Sequence, residues 1–156
     1  MLKKVSFMLS NSQLSQFFLE YEYTNYFTFQ EAITDLVDTK LLEDFKTKTN
    51  IRYKLTEEGQ ETIDTFINDI DENAIKDMDD YILNNKYKLR EESILFADFN
   101  EISKHNYKCT LSIKESKDYI FNIELDAPDA DTARLICEKW REKAKSIYAF
   151  TIKELL

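Results

Sequence analysis

The chain has 156 residues, 43% of them hydrophobic and 13% aromatic, with one glycine, one proline and a formal net charge of -9. That composition fits one ordinary domain or two small ones and excludes a disordered chain. Its apolar runs are far shorter than the roughly 20 residues a membrane-spanning helix needs, and two cysteines, Cys109 and Cys137, without CxxC spacing fit a reducing, cytoplasmic setting.

Charge is unevenly spread. Residues 1–55 hold seven cations and seven acids, whereas 56–156 hold fourteen cations against twenty-three acids. Two functional parts are expected, over 1–70 and 71–156.

The opening MLKKVSFML has too short an apolar stretch for a signal peptide. In SNSQLSQFFLEY, Leu14, Phe17 and Phe18 recur at helical spacing, with Ser10 or Ser12 as cap. After the turn EYTNY, a second helix is expected with Thr28 as N-cap. Its apolar stripe is Phe29, Ile33, Leu36, Val37 and Leu41, and its solvated face Gln30, Glu31, Thr34, Asp35 and Asp38. LLEDF and IRYKL, joined by KTKTN, make a β-hairpin whose second strand alternates apolar Ile51, Tyr53 and Leu55 with cationic Arg52 and Lys54. Thr56 caps a further helix with Glu57 and Glu58 in its first turn, and Gly59 lets that helix approach the hairpin backbone. Two helices, a tight turn and a hairpin are the order of a winged helix-turn-helix.

NSQL, NYFT, LTEEG and, near the end, LICEKW carry a resemblance. They are similar to an uncharacterised family, a domain of unknown function, of low-GC Gram-positive bacteria, distantly similar to PadR- and MarR-type transcriptional regulators. The resemblance implies a winged helix and suggests DNA binding. The resemblance implies a helix ahead of the NSQ segment, of which MLKKV would be the remainder here. Leu14, Phe18, Leu36 and Val37 are then expected to be partly bare, unless a longer N-terminus or a partner subunit covers them.

Lys46, Lys48, Arg52 and Lys54 lie within nine positions without an intervening acid. A basic hairpin tip suits the sugar-phosphate backbone of double-stranded DNA, while Thr28, Gln30 and Thr34 approach base edges. Asn11, Ser12, Asn25 and Tyr26 are the candidates for neutral hydrogen bonds to phosphate. Against this stand Glu31, Asp35 and Asp38 on the same helix, with Lys40 its one cation.

In the second part, ENAIKDMDDYILNNKYKLREESILF spaces Ile75, Met78, Ile82, Leu89 and Phe96 as one long amphipathic helix. FADFNEI, NYKCTLSIK and DYIFNIELD alternate as three antiparallel strands, the last two joined by an ESKD turn. Tyr107, Cys109, Leu111 and Ile113 form one face of the first of that pair, and Tyr119, Phe121, Ile123 and Leu125 one face of the other. A final helix from about Asp129 to Lys153 covers the sheet with Ala133, Ile136, Cys137, Trp140, Ala144, Ile147 and Tyr148.

Asp69, Asp71 and Asn73 match the first offsets of a calcium loop, but Ala74 replaces its glycine and Asp80 its glutamate, so an acidic helix start is expected. His105, four residues before Cys109, lacks a third orienting group for nucleophilic catalysis. No phosphate-loop, dinucleotide or zinc-protease motif occurs. The expectation is an α+β fold, a winged helix followed by a helix, three-stranded sheet and helix. It is not an enzyme and has no cofactor, metal or membrane partner. It would act as a homodimeric DNA-binding transcription regulator, its second part pairing subunits, holding a small-molecule effector between sheet and helix, or doing both. The rival reading is a protein-interaction module of winged-helix shape.

Overall fold

In a computed structural model, the chain is an α+β protein with five α-helices and two three-stranded antiparallel sheets among the described residues. Description extends to all residues except Ser116 and Lys117, and at Glu115 to the backbone alone, so the expected ESKD turn lies largely outside the described residues. By internal contacts the chain divides into two compact units. The first comprises Met1–Lys46 and Asn50–Ser93, the second Thr47–Thr49 and Ile94–Leu156.

The first unit begins with a short 3-10 turn, Leu2–Lys4, and a two-residue strand β1, Leu9–Ser10. Helix α1, Asn11–Glu20, starts in a capping box. The Gln13 N–H donates to Ser10 Oγ at 3.1 Å, and the Ser10 N–H donates to Gln13 Oε1 at 2.8 Å. Helix α2, Tyr26–Asp38, is capped by Asn25, whose Oδ1 accepts the Thr28 N–H at 3.0 Å. The helix therefore begins before the expected Thr28 cap, because the asparagine carbonyl reaches the free amides of the first turn at least as well as a threonine hydroxyl. Its end is a left-handed turn: Lys40 has φ +62°, its N–H donates to Val37 O, and the Leu41 N–H donates to Leu36 O.

Strands β2, Leu42–Lys46, and β3, Ile51–Leu55, form the expected hairpin, but not alone. Strand β1 adds to β3, giving the order β1-β3-β2 instead of a simple two-stranded wing. Helix α3, Glu57–Phe66, is capped by Thr56 as the sequence suggests, with the Gly59 N–H donating to Thr56 Oγ at 3.0 Å. A Cβ on Gly59 would stand 2.1 Å from Leu41 O and 2.9 Å from Leu55 Cδ1, so the helix meets the hairpin base where only a hydrogen fits.

Helix α4, Glu72–Ile94, belongs to this unit because Tyr81 and Leu89 join the core of Leu9, Leu14, Phe17, Phe29, Ile33, Leu42 and Tyr53. The sequence reading divides the chain at residue 70; by internal contacts Asn50–Ser93 groups with Met1–Lys46, and Ile94–Leu156 with Thr47–Thr49. Phe17 and Tyr81 rings lie 5.2 Å apart, and Gln13 Nε2 donates to Leu89 O at 3.2 Å. Leu14 is thus buried although it was expected to be partly bare, whereas Leu36 stays 37% exposed. Phe96 is not on the helical stripe. After Ile94 the apolar period changes from helical to two, and Leu95, Ala97 and Phe99 alternate inward along a strand.

The second unit holds β4, Leu95–Ser103, β5, Asn106–Glu115, and β6, Asp118–Ala127, in that order, and α5, Ala130–Leu155. Asp129 caps α5, accepting the Thr132 N–H at 2.7 Å, and this bond holds the carboxyl below its ordinary range. Ala133, Cys137 and Ala144 let the helix approach closely, so that Trp140 stacks on Phe121 with ring centroids 6.2 Å apart. The inward face of β5 is the expected Cys109, Leu111 and Ile113, with Tyr107 partly buried against the core. On β6 the expected alternation breaks. Ile113 pairs with Phe121 but Lys114 with Tyr119, so Ile120 is an extra residue and Tyr119 moves to the outer face, where the Lys114 ammonium lies 4.5 Å from its ring.

Candidate nucleic-acid interface

Helix α1, helix α2 with its Asn25 cap, and the hairpin carry the eleven residues that the sequence nominates. Asn11 opens α1 and faces Gln30 on α2. Asn11 Nδ2 donates to Gln30 Oε1 at 3.0 Å and to the Tyr53 hydroxyl at 3.1 Å, while Gln30 Nε2 donates to Asn11 Oδ1 at 2.9 Å. This reciprocal amide pair joins the two helices and occupies the groups with which Gln30 would read adenine. Ser12 Oγ shares a hydrogen bond with Ser10 Oγ at 2.9 Å. Asn25 acts as the α2 cap, and Thr34 Oγ donates to Gln30 O at 2.8 Å. Thr28 and Tyr26 are exposed.

The four cations differ in their immediate surroundings. Lys46 pairs with Asp44 at 2.6 Å, and the hydrogen bond it donates to that carboxylate raises the lysine's pKa. Lys48 counts with the second unit; its N–H donates to Asp98 Oδ1 at 2.9 Å and its ammonium lies 5.2 Å from the Phe99 ring centroid. Arg52 extends both nitrogens to the end of α4, donating to Ser93 O at 2.9 Å and Glu92 O at 3.0 Å. A cation at the last carbonyls of a helix is a C-terminal cap, stabilised by the negative end of the macrodipole. Lys54 is exposed and stands opposite Glu43 in the ladder.

The outward face of α2 has a different character from the one expected. Phe27 is 83% exposed and Tyr26 52%, their rings edge-to-face at 5.9 Å. Glu31, Asp35 and Asp38 continue that face, all exposed, with no cation before Lys40. Phe27 was not nominated, although its signal was present. In YFTFQEAI it lies off the stripe of Phe29 and Ile33, so helical geometry turns it toward solvent.

The remaining candidate chemistry is dispersed. Asp71 Oδ1 accepts the Asn73 and Ala74 N–H groups at the start of α4, the ordinary work of a helix cap. No group of three or more potential metal-ligating side chains occurs among the described residues. His105 is exposed at a turn with φ +60°, whereas Cys109 is fully buried and donates to Ala133 O at 3.7 Å. Cys137 lies against Cys109. Burial pushes both thiols up, Cys137 to about 12 with the neighbouring sulfur contributing.

No helix among the described residues is long and apolar enough to cross a membrane. No curated protein and no solved structure matches the chain. A family model described as Domain of unknown function (DUF4364) matches residues 1–155, and the chain belongs to that family.

Proposed function

Starting from membership in a family whose role is undescribed, we propose that the first unit is a winged-helix module that works by protein contact. It docks a partner on the exposed face of α2. The order helix, turn, helix, hairpin supports the winged-helix assignment, as does the resemblance to PadR- and MarR-type regulators. One observation carries the choice of protein over DNA: the outward face of α2 presents Tyr26 and Phe27 beside Glu31, Asp35 and Asp38. An exposed aromatic pair is the kind of anchor that fills a pocket at the centre of a protein interface. A carboxylate rim selects a partner with complementary basic residues and repels a phosphate backbone.

Peptide-array binding by the full chain, compared with Phe27→Ser and with an Asp35→Asn/Asp38→Asn double variant, tests this. Binders enriched in Lys and Arg, lost with Phe27→Ser and made less salt-sensitive by the double variant, are expected. Binding unchanged in both variants would remove α2 from the interface.

A second reading, a DNA-binding transcription regulator acting as a dimer, is favoured by the exposure of Lys46 and Lys54 on the hairpin and of Thr28 and Thr34 on α2. An ion pair whose lysine is exposed, such as Lys46–Asp44, is worth little, so a phosphate can compete with the aspartate. In such a dimer the two α2 helices would stand about 34 Å apart. Fluorescence anisotropy with mixed-sequence duplexes, from low to physiological salt, separates the two readings. Salt-dependent binding whose slope falls in Lys46→Gln/Lys54→Gln would establish the DNA reading; no saturable binding favours the protein partner.

A further inference from the structure

The two edges of the second sheet are unequal. At the β4 edge, Thr49 Oγ donates to Ala97 O at 2.7 Å, and the Lys48 N–H donates to Asp98 Oδ1 at 2.9 Å. Residues of the same compact unit therefore occupy that side. Strand β6 forms the other edge, and among the described residues no strand lies beyond it. It is ten residues long and contains neither lysine nor proline, and of the devices that guard such an edge it has the bulge at Ile120 and acidic side chains. The extra residue at Ile120 disturbs its beginning only, so Phe121–Ala127 runs on as regular ladder.

The side chains along that regular stretch are of two kinds. Phe121, Ile123 and Leu125 pair with Ile113, Leu111 and Cys109 and so share the α5 face, yet Leu125 is 42% exposed. Asn122, Glu124 and Asp126 point to the other face and themselves bring only negative charge, with Lys108 of β5 pairing with Glu124 at 3.5 Å. We infer that β6 pairs antiparallel with β6 of a second copy of this chain, about a two-fold axis at Ile123. Under this symmetry opposite residues lie on the same face of the joined sheet.

Charge selects the axis. Centred on Ile123, Phe121 meets Leu125 of the second copy and Ile123 meets its equivalent, an apolar ladder along the α5 face. On the other face Asn122 meets Glu124, so no acid stands opposite an acid. Centred on Glu124, the two Glu124 carboxylates would be directly opposed. Centred on Asn122, Leu125 would meet the segment displaced by the Ile120 bulge. The Ile123 register covers Leu125 and satisfies the outward N–H and C=O groups of both strands, making one six-stranded sheet. This inference does not depend on what α2 binds.

Sedimentation velocity on the full chain, across a dilution series at low ionic strength, tests it. The wild type is expected to dimerise. Asn122→Glu, which opposes two pairs of acids by symmetry, weakens the dimer by about tenfold, and Asn122→Lys tightens it several-fold through two new ion pairs. Both changes lie on an exposed, outward-facing position, and an unchanged far-UV circular dichroism spectrum confirms that the fold is kept. Leu125→Lys, a charge on the apolar side of the ladder, converts the dimer to monomer. A wild-type monomer at 100-fold the working concentration, or a dimer indifferent to Asn122→Glu and Leu125→Lys, overturns the proposal.

Discussion

Replacing Gly59 by alanine puts two opposing effects in direct competition. In an exposed helix interior the change stabilises by about 1 kcal/mol, because glycine loses more backbone freedom on folding. Here the added methyl would lie 2.1 Å from Leu41 O, far inside van der Waals contact, and 2.9 Å from Leu55 Cδ1. The leucine side chain can rotate away. The carbonyl cannot, since it accepts both the Thr56 N–H at 3.3 Å and Thr56 Oγ at 3.0 Å. Moving it weakens two hydrogen bonds worth about 1 kcal/mol each and disturbs the α3 cap. Adding the strain of overpacking, about 1–3 kcal/mol, the net expectation is a loss of about 2–4 kcal/mol. For a chain of this size that corresponds to a fall in Tm of about 5–15 °C. Thermal melts followed by circular dichroism give the total, and hydrogen exchange of α3 amides locates it. An unchanged or raised Tm would refute the close approach of α3 to the hairpin.

Lys40, at φ +62°, is the reverse case: Lys40→Gly relieves a left-handed residue and should stabilise by about 1 kcal/mol in a urea titration. Arg52→Met removes two charge-assisted bonds to the end of α4 and should lower stability by about 2 kcal/mol, with faster amide exchange in the last turn of that helix. Tyr23 donates to Asp77 Oδ2 at 2.7 Å, and this bond pushes its pKa up to about 12. The folded state therefore favours the neutral phenol, so the contribution is complete below the ordinary tyrosine value of about 10 and is lost as pH rises through 12. Spectrophotometric titration should show a late-ionising tyrosine that disappears in Tyr23→Phe and moves down in Asp77→Asn.

The parts of the fold that depend on neighbours in sequence were legible. Thr56 with its acidic first turn, the stripe of α5 and the inward face of β5 follow from local chemistry and periodicity. Gly59 was legible because a single glycine in 156 residues marks a place where a side chain is excluded. Strand β1 was not, since two residues carry no period and exist as a strand only through β3. Nor was the bulge at Ile120: DYIFNIELD alternates without a break, and the extra residue is fixed by register against β5. The destinations of the cations were hidden for the same reason. Arg52 and Glu92 are forty residues apart in sequence, and no spacing rule connects a hairpin residue to the far end of a later helix. The exposed face of α2 is half legible, its acids reading as a solvated face while Phe27 sits among aromatic neighbours in YFTF.

The sulfur pair at the centre of the second unit gives the molecule a built-in stopwatch. Cys109 and Cys137 have no exposed surface, and burial favours the neutral thiol at both. An alkylating reagent consumes thiolate alone, so it can mark these sulfurs only during moments when α5 lifts from the sheet. The pace of labelling then times that breathing event without any foreign dye.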